Sequence, residues 1–214
     1  MKKSVYSLVL MDDVIKAVDR QAYLLGTSRS NLINQILAEH LSCVTPEMRM
    51  KETFDTVQNL ISSAFRIQQQ RSASLLTLST PLEYRYRPTI SYKVELERIP
   101  DIYLGTLKVR IRTQSIPLSD MFGKFFIYRA KFESALFSEK GCDCYSCSAD
   151  TNTFSRKFIN SGKLSPEQSG RAIYDYIGHI DKSIKLFFAD PQNFGNIADG
   201  LEQEYRHMTD KILI

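Results

Sequence analysis

The sequence predicts an α+β protein in three parts: a small strand–helix–helix head over residues 1–44, a connecting helix over 45–72, and a larger domain of antiparallel sheet plus helices over 73–214. Three observations carry this reading. Apolar residues alternate over Ser4–Leu10, Ile90–Leu96 and Leu107–Arg112, the period-two pattern of strands. Elsewhere the apolar spacing changes to three and four, which belongs to amphipathic helices. Thr45-Pro46-Glu47 and Ser165-Pro166-Glu167 then supply a hydroxyl cap, a first-turn proline and an acid for two helix starts.

Within the head, Tyr6, Leu8 and Leu10 fall on one side of the strand, and Lys3, Val5, Ser7 and Val9 on the other. Asp12 and Asp13 place carboxylates at a helix N-terminus, and Val14, Ile15, Val18, Ala22 and Leu25 form its apolar stripe. Gly26 ends that helix. Ser28 caps a second one, whose apolar face is Leu32, Ile33, Ile36, Leu37 and Leu41. A lone strand leaves both its edges unpaired, and a piece of about 40 residues buries too little surface to be stable unaided. A two-fold homodimer answers both difficulties. Its strands pair antiparallel, four helices enclose Tyr6, Leu8 and Leu10, and the opposite strand faces look outward. A two-stranded ribbon of this kind fits the major groove of B-DNA.

The alternating strand Ser4–Leu10, the acidic turn before Val14 and the run Gly26-Thr27-Ser28-Arg29-Ser30-Asn31-Leu32-Ile33 together resemble the ribbon–helix–helix superfamily of the Arc/MetJ/CopG type. The similarity covers residues 2–42. It implies that Val5, Ser7 and Val9, flanked by Lys3, read base edges. It also implies that Ser28, Arg29 and Ser30, helped by Lys2, hold phosphate, a role suited to the free amides and positive dipole end of a helix. The chain departs from the family pattern twice. Only Ser7 of the groove trio can hydrogen-bond, so readout leans on thymine methyls, DNA shape and phosphate contacts. Met11 stands where Ser, Thr, Pro or Asp usually begins the first helix. The implied function is a homodimeric, sequence-specific transcriptional regulator that binds double-stranded DNA and represses by occlusion. The same head also suits an accessory protein of plasmid partition or conjugative DNA processing. An antitoxin is the further alternative, although such proteins carry short disordered tails where this chain continues into a patterned domain.

In the connecting segment, Met50, Phe54, Val57, Ile61, Ala64 and Phe65 keep helical steps to about Gln70. The spacing suits a connector, a helix paired with its twin, or a core helix of the following domain. In the larger domain, strands are expected at Tyr84–Arg87, Ile90–Leu96 and Leu107–Arg112, followed by helices near Ser119–Phe137, Ser165–Phe188 and Ile197–Leu213. Phe122, Phe125, Phe126, Tyr128, Phe132 and Phe137 read as core. Lys108, Arg110 and Arg112 face outward beside Lys93, Glu95 and Glu97, which favours a solvated, salt-bridged sheet face over a nucleic-acid or anionic-ligand surface. The expected role of this domain is oligomerisation or the sensing of an effector.

Cys142, Cys144 and Cys147 are the one chemically suggestive cluster. Three thiols in six residues offer a zinc site, with His179, Cys43 or a residue of a partner copy as a fourth ligand, or an oxidant sensor. The C-x-C-x2-C spacing and the lack of a nearby histidine favour a cysteine-rich loop, with no cofactor. Net charge is +4, spread evenly along the chain, so no polybasic arm is present. Asp12 and Asp13 interrupt the N-terminal apolar run, which argues against a targeting segment and for the cytoplasm. No run is long enough to span a membrane. His40, His179 and His207 are scattered, and no phosphate-binding, nucleophile-elbow or metalloprotease motif occurs, so nothing nominates an enzyme.

Overall fold

The computed structural model describes residues 7–41, 43–68, 72–85 and 87–214. Lys2, Lys3, Val5 and Tyr6 of the expected first strand lie outside the described residues. The chain divides into two units, Met1–Arg49 and Met50–Ile214, and none of its described helices is long and apolar enough to cross a membrane.

The first unit contains α1 (Asp12–Leu24) and α2 (Arg29–His40), close to the two helices expected. Residues 7–10 carry no regular structure, and the first strand among the described residues is Arg66–Ile67. A strand is defined by hydrogen bonds to a neighbour, and among the described residues of this unit none pairs with residues 7–10 in that way. The α1–α2 packing buries Ala22, Leu32 and Ala38.

The second unit is built on a six-stranded antiparallel sheet. Its strands are β1 (Arg66–Ile67), β2 (Leu75–Pro81), β3 (Thr89–Leu96), β4 (Tyr103–Ile111), β5 (Cys147–Ala149) and β6 (Thr153–Ile159), arranged in the order β1-β2-β3-β4-β6-β5. One face is apolar and fully covered, through Leu76 and Leu78, Tyr92 and Val94, Leu107 and Val109, and Phe154 and Phe158. The covering helices are α4 (Ile116–Glu139), α5 (Pro166–Ala189) and α6 (Phe194–Lys211). Phe126 of α4 stacks on Phe154, and Tyr176 of α5 meets Phe158 edge-on. The five phenylalanines of the aromatic stripe expected to be core are buried, whereas Tyr128 is half-buried and donates its hydroxyl to Glu202 at 2.8 Å. Helix α3 (Pro46–Leu60) contributes Met50, Phe54 and Val57 to the same interior. It lies so close to α5 that a Cβ on Gly170 would stand 2.5 Å from the Thr53 carbonyl oxygen.

Three expectations need correction. Helix α3 stops at Leu60 rather than running to Gln70, because Ile61 and Phe65 reach the core from an irregular segment, where Phe65 meets Tyr92 with ring centres 5.9 Å apart. Tyr84–Arg87 is not a strand. Its described residues form the turn between β2 and β3, closed by the Arg87 amide donating to the Tyr84 carbonyl at 2.9 Å. Strand β6 was not expected, because Arg156 occupies the inward position between Phe154 and Phe158 and breaks the apolar alternation.

That arginine belongs to a buried charge network. Glu133 of α4, wholly excluded from solvent, accepts from Arg129 Nε and from Arg156 Nη1 at 3.2 Å. It also accepts from the hydroxyls of Tyr145 and Tyr176, each at 2.6 Å. Arg156 donates onward to Tyr205 of α6 at 2.7 Å and to the Ile214 carbonyl. Both guanidiniums lie over aromatic rings, Arg129 above Tyr205 and Arg156 above Tyr176, each 4.3 Å from the centroid, an arrangement that offsets part of their lost hydration. Burial alone would raise the Glu133 carboxyl, but the two arginines outweigh it and hold it below the usual carboxylate range. His179 sits at the margin of the network. Its Nδ1 faces Arg129 Nη1 at 3.3 Å and its Nε2 lies 3.0 Å from the Leu201 carbonyl oxygen, which fits a neutral ring protonated on Nε2.

Replacing Glu133 by Gln should destabilise the protein by roughly 3–5 kcal/mol, because two buried guanidiniums then lose their counter-charge; urea unfolding followed by far-UV circular dichroism measures it. A pH effect follows from His179. Burial, reinforced by Arg129, lowers its imidazole to about 4. In the unfolded chain the group titrates near about 6.5, so on acidification the unfolded state binds the proton first. The stability this neutral ring contributes is complete above about pH 6.5 and is lost as the pH falls toward 4. Over that window the urea midpoint of the wild type should fall more steeply than that of His179→Asn.

Candidate nucleic-acid interface

The head brings the expected phosphate anchor together at one helix end. The connection from α1 closes in two steps: the Gly26 amide donates to the Tyr23 carbonyl at 3.2 Å, and the Thr27 amide to the Ala22 carbonyl at 3.0 Å. This pairing requires the left-handed backbone that Gly26 adopts, with φ of +60°. The chain then extends through Ser28, whose hydroxyl oxygen accepts from the Asn31 amide at 3.2 Å and caps α2. Arg29 and Ser30 occupy the first turn, where backbone amides lack intrahelical acceptors. Ser28, Arg29 and Ser30 are all exposed.

Sequence reasoning missed the partner of Arg29. Its guanidinium forms a two-pronged pair with Asp19 of α1, with Nη2 donating to Oδ2 at 2.7 Å and Nε beside Oδ1. Ten residues separate the two, and no helical or strand period links them. The pair holds the arginine against α1, yet more than half of the Arg29 side chain stays in solvent. An exposed pair of this type is worth only about 0–1 kcal/mol, so a phosphate can compete for the guanidinium at small cost. Of the expected groove residues, Ser7 and Val9 are described and both are exposed, Val9 completely; Lys3 and Val5, with Lys2, lie outside the described residues.

The other sequence candidates sit in the second unit. Cys142 and Cys144 bring their sulfurs to 3.8 Å, while Cys147 turns away toward Ser134 Oγ and the Ala130 carbonyl. Burial and the neighbouring Cys144 raise the Cys142 thiol, so it stays protonated at neutral pH. His179 is engaged by Arg129 and Leu201, and among the described residues no three His, Cys, Asp or Glu side chains are grouped to hold a metal ion.

The outer face of the sheet differs from expectation. The register sets Lys93 directly opposite Lys108 and Ser91 opposite Arg110, while Glu95 faces Thr106. The salt bridges expected between β3 and β4 therefore do not form. Glu95 instead lies 3.7 Å from Lys93 on its own strand, and Lys108, Arg110 and Arg112 have no carboxylate partner among the described residues.

The local geometry of the head predicts that Gly26→Ala costs about 1–2 kcal/mol, since a Cβ is disfavoured at this φ, and that Ser28→Ala costs about 1 kcal/mol through the lost cap; thermal melts of the two variants read both. No family model, curated protein or solved structure matches this chain.

Proposed function

We propose that the protein is a homodimeric, sequence-specific DNA-binding regulator of transcription, whose two heads pair their Ser4–Leu10 strands into a ribbon for the major groove. The observation that carries this reading is the apolar surface the head leaves uncovered. Leu8, Leu10, Val14 and Ile15 are exposed, and so are Ile36, Leu37 and Leu41, the last to 65%. These are the residues whose periodicity points to an interior. Within the first unit, α1 and α2 give them nothing to bury against. A second copy does, and each side chain it covers contributes roughly 1.5–3 kcal/mol.

Pairing two such heads orients their groups for DNA. The strand face carrying Ser7 and Val9 is turned outward twice. The two α2 N-termini, with Ser28, Arg29 and Ser30, lie beside the ribbon, where the phosphate backbones of a groove run. Ser7 supplies the hydrogen bond and Val9 an apolar contact suited to a thymine methyl. Occupancy of a promoter by such a dimer represses by exclusion, with no recruiting surface required.

Selection of bound fragments from random-sequence duplexes, followed by mobility shift, tests the proposal. The expected result is a preferred two-fold-related site whose affinity falls steeply with salt. Ser7→Ala combined with Arg29→Ala should weaken binding roughly tenfold or more, from the loss of base and phosphate contacts. Leu37→Asp should yield a monomer by sedimentation velocity and abolish the shift. A wild type that stays monomeric at micromolar concentration, or binds duplex no better than heparin-blocked controls, would overturn the reading.

A further inference from the structure

The uncovered face of the sheet carries a second, independent feature. Across β2, β3 and β4 it forms a hollow of about 620 Å³. Five cationic side chains line it: Arg87, Lys93, Lys108, Arg110 and Arg112. Between them stand the hydroxyls of Thr77, Thr89 and Ser91, and the lining contains no carboxylate.

Three observations separate this hollow from an ordinary solvated surface. First, the strand register places Lys93 directly across from Lys108. Like charges in facing positions destabilise a sheet, and among the described residues the group's only carboxylate contact runs from Lys93 to Glu95 at 3.7 Å, along the same strand. Second, Arg87 is the only non-glycine residue with positive φ among the described residues, at 39°. The turn between β2 and β3 thus holds an arginine in a backbone conformation that costs energy, a kind of strain that gathers at ligand sites. Third, among the described residues the lining offers no aromatic ring, whereas surfaces that bind single-stranded nucleic acid rely on aromatic stacking. The cations extend roughly 13 Å along β4 and about 10 Å across the strands, the footprint of a compact molecule.

We propose that this hollow is a binding site for a small polyanion carrying two or more linked phosphate groups. Arg110 and Arg112 suit forked contacts to phosphate oxygens and the lysines act as point charges. Thr77, Thr89 and Ser91 donate hydroxyl hydrogen bonds from the floor. Ligand binding relieves the repulsion between Lys93 and Lys108, so the site is more stable occupied than empty. The inference goes beyond DNA binding by the head and stands without it.

The test uses the full-length protein and tripolyphosphate as probe, followed by isothermal titration calorimetry at low and moderate salt. The expected result is one site per chain, weakened by salt. Lys108→Glu with Arg110→Glu should reduce affinity by roughly a hundredfold and Arg87→Gly by roughly tenfold, through lost charge-assisted contacts. Lys124→Glu with Lys131→Glu, the same charge change on exposed positions of α4, should leave it within about twofold, because charges beyond a Debye length are largely screened. Circular dichroism confirms that the variants fold. Ser7→Ala with Arg29→Ala should not alter tripolyphosphate binding, which separates a failure of the head from a failure of this site. Absence of binding at millimolar probe, equal losses in the α4 control, or a sheet-face variant that loses only duplex DNA affinity would each overturn the proposal.

Discussion

The second unit depends on a single carboxylate. Glu133 lies in the interior with no solvent, and it is the only carboxylate shared by Arg129 and Arg156. Its hydrogen bonds run to side chains from α4, α5, α6, β6 and the segment before β5, and Arg156 carries the network on to Ile214. Apolar contacts hold helices to a sheet with little preference for register. A carboxylate that must meet two guanidiniums and three hydroxyls at once admits only one arrangement. The aromatic rings around it, Tyr176 and Tyr205 above all, serve both as hydrogen-bond donors and as faces for the guanidiniums.

Covering one face of the sheet with helices has a counterpart on the other. On the interior side the buried carboxylates Glu133 and Asp181 are each paired with cations, whereas the open side is free to hold an excess of one sign. Lys93, Lys108, Arg110 and Arg112 take that freedom, and strand pairing sets them together rather than apart. The second unit therefore has an interior whose carboxylates are paired and a surface whose electrostatics are unbalanced, while the head has an uncovered apolar surface. In each unit, the unsatisfied part of the surface is where a partner gains most.

Much of this was legible in the sequence where one period and one signal coincide. Helices α4, α5 and α6 carry apolar stripes, α5 with a capping box at its start, and β3 and β4 alternate cleanly, so their positions were readable to within a few residues. Strand β6 was not, because Arg156 stands where the alternation calls for an apolar side chain, and its justification, Glu133, lies 23 residues away. Helix α3 was overextended because Ile61 and Phe65 reach the core at helical intervals without being helical. The pairing of Lys93 with Lys108 depends on register, which turn geometry sets and which composition does not reveal. In the head, the two helices and their Gly26 and Ser28 boundaries were plain. The strand expected before them is not shown, since Ser7–Leu10 carry no regular structure and the residues before Ser7 lie outside the described ones, and the Arg29–Asp19 pair had no periodic signature.

The order of the strands also governs how copies of the domain behave when crowded. The sheet ends in β1, two residues long, and in β5, three residues long. Each flanks a seven-residue neighbour, and β2 finishes in Pro81, which has no amide hydrogen to offer. Ragged borders of this kind give an incoming strand little to zip against. Any assembly that tethers two of these domains raises their mutual concentration to the millimolar range, the regime in which long bare borders polymerise. The short outer strands of this sheet offer little of that kind of border.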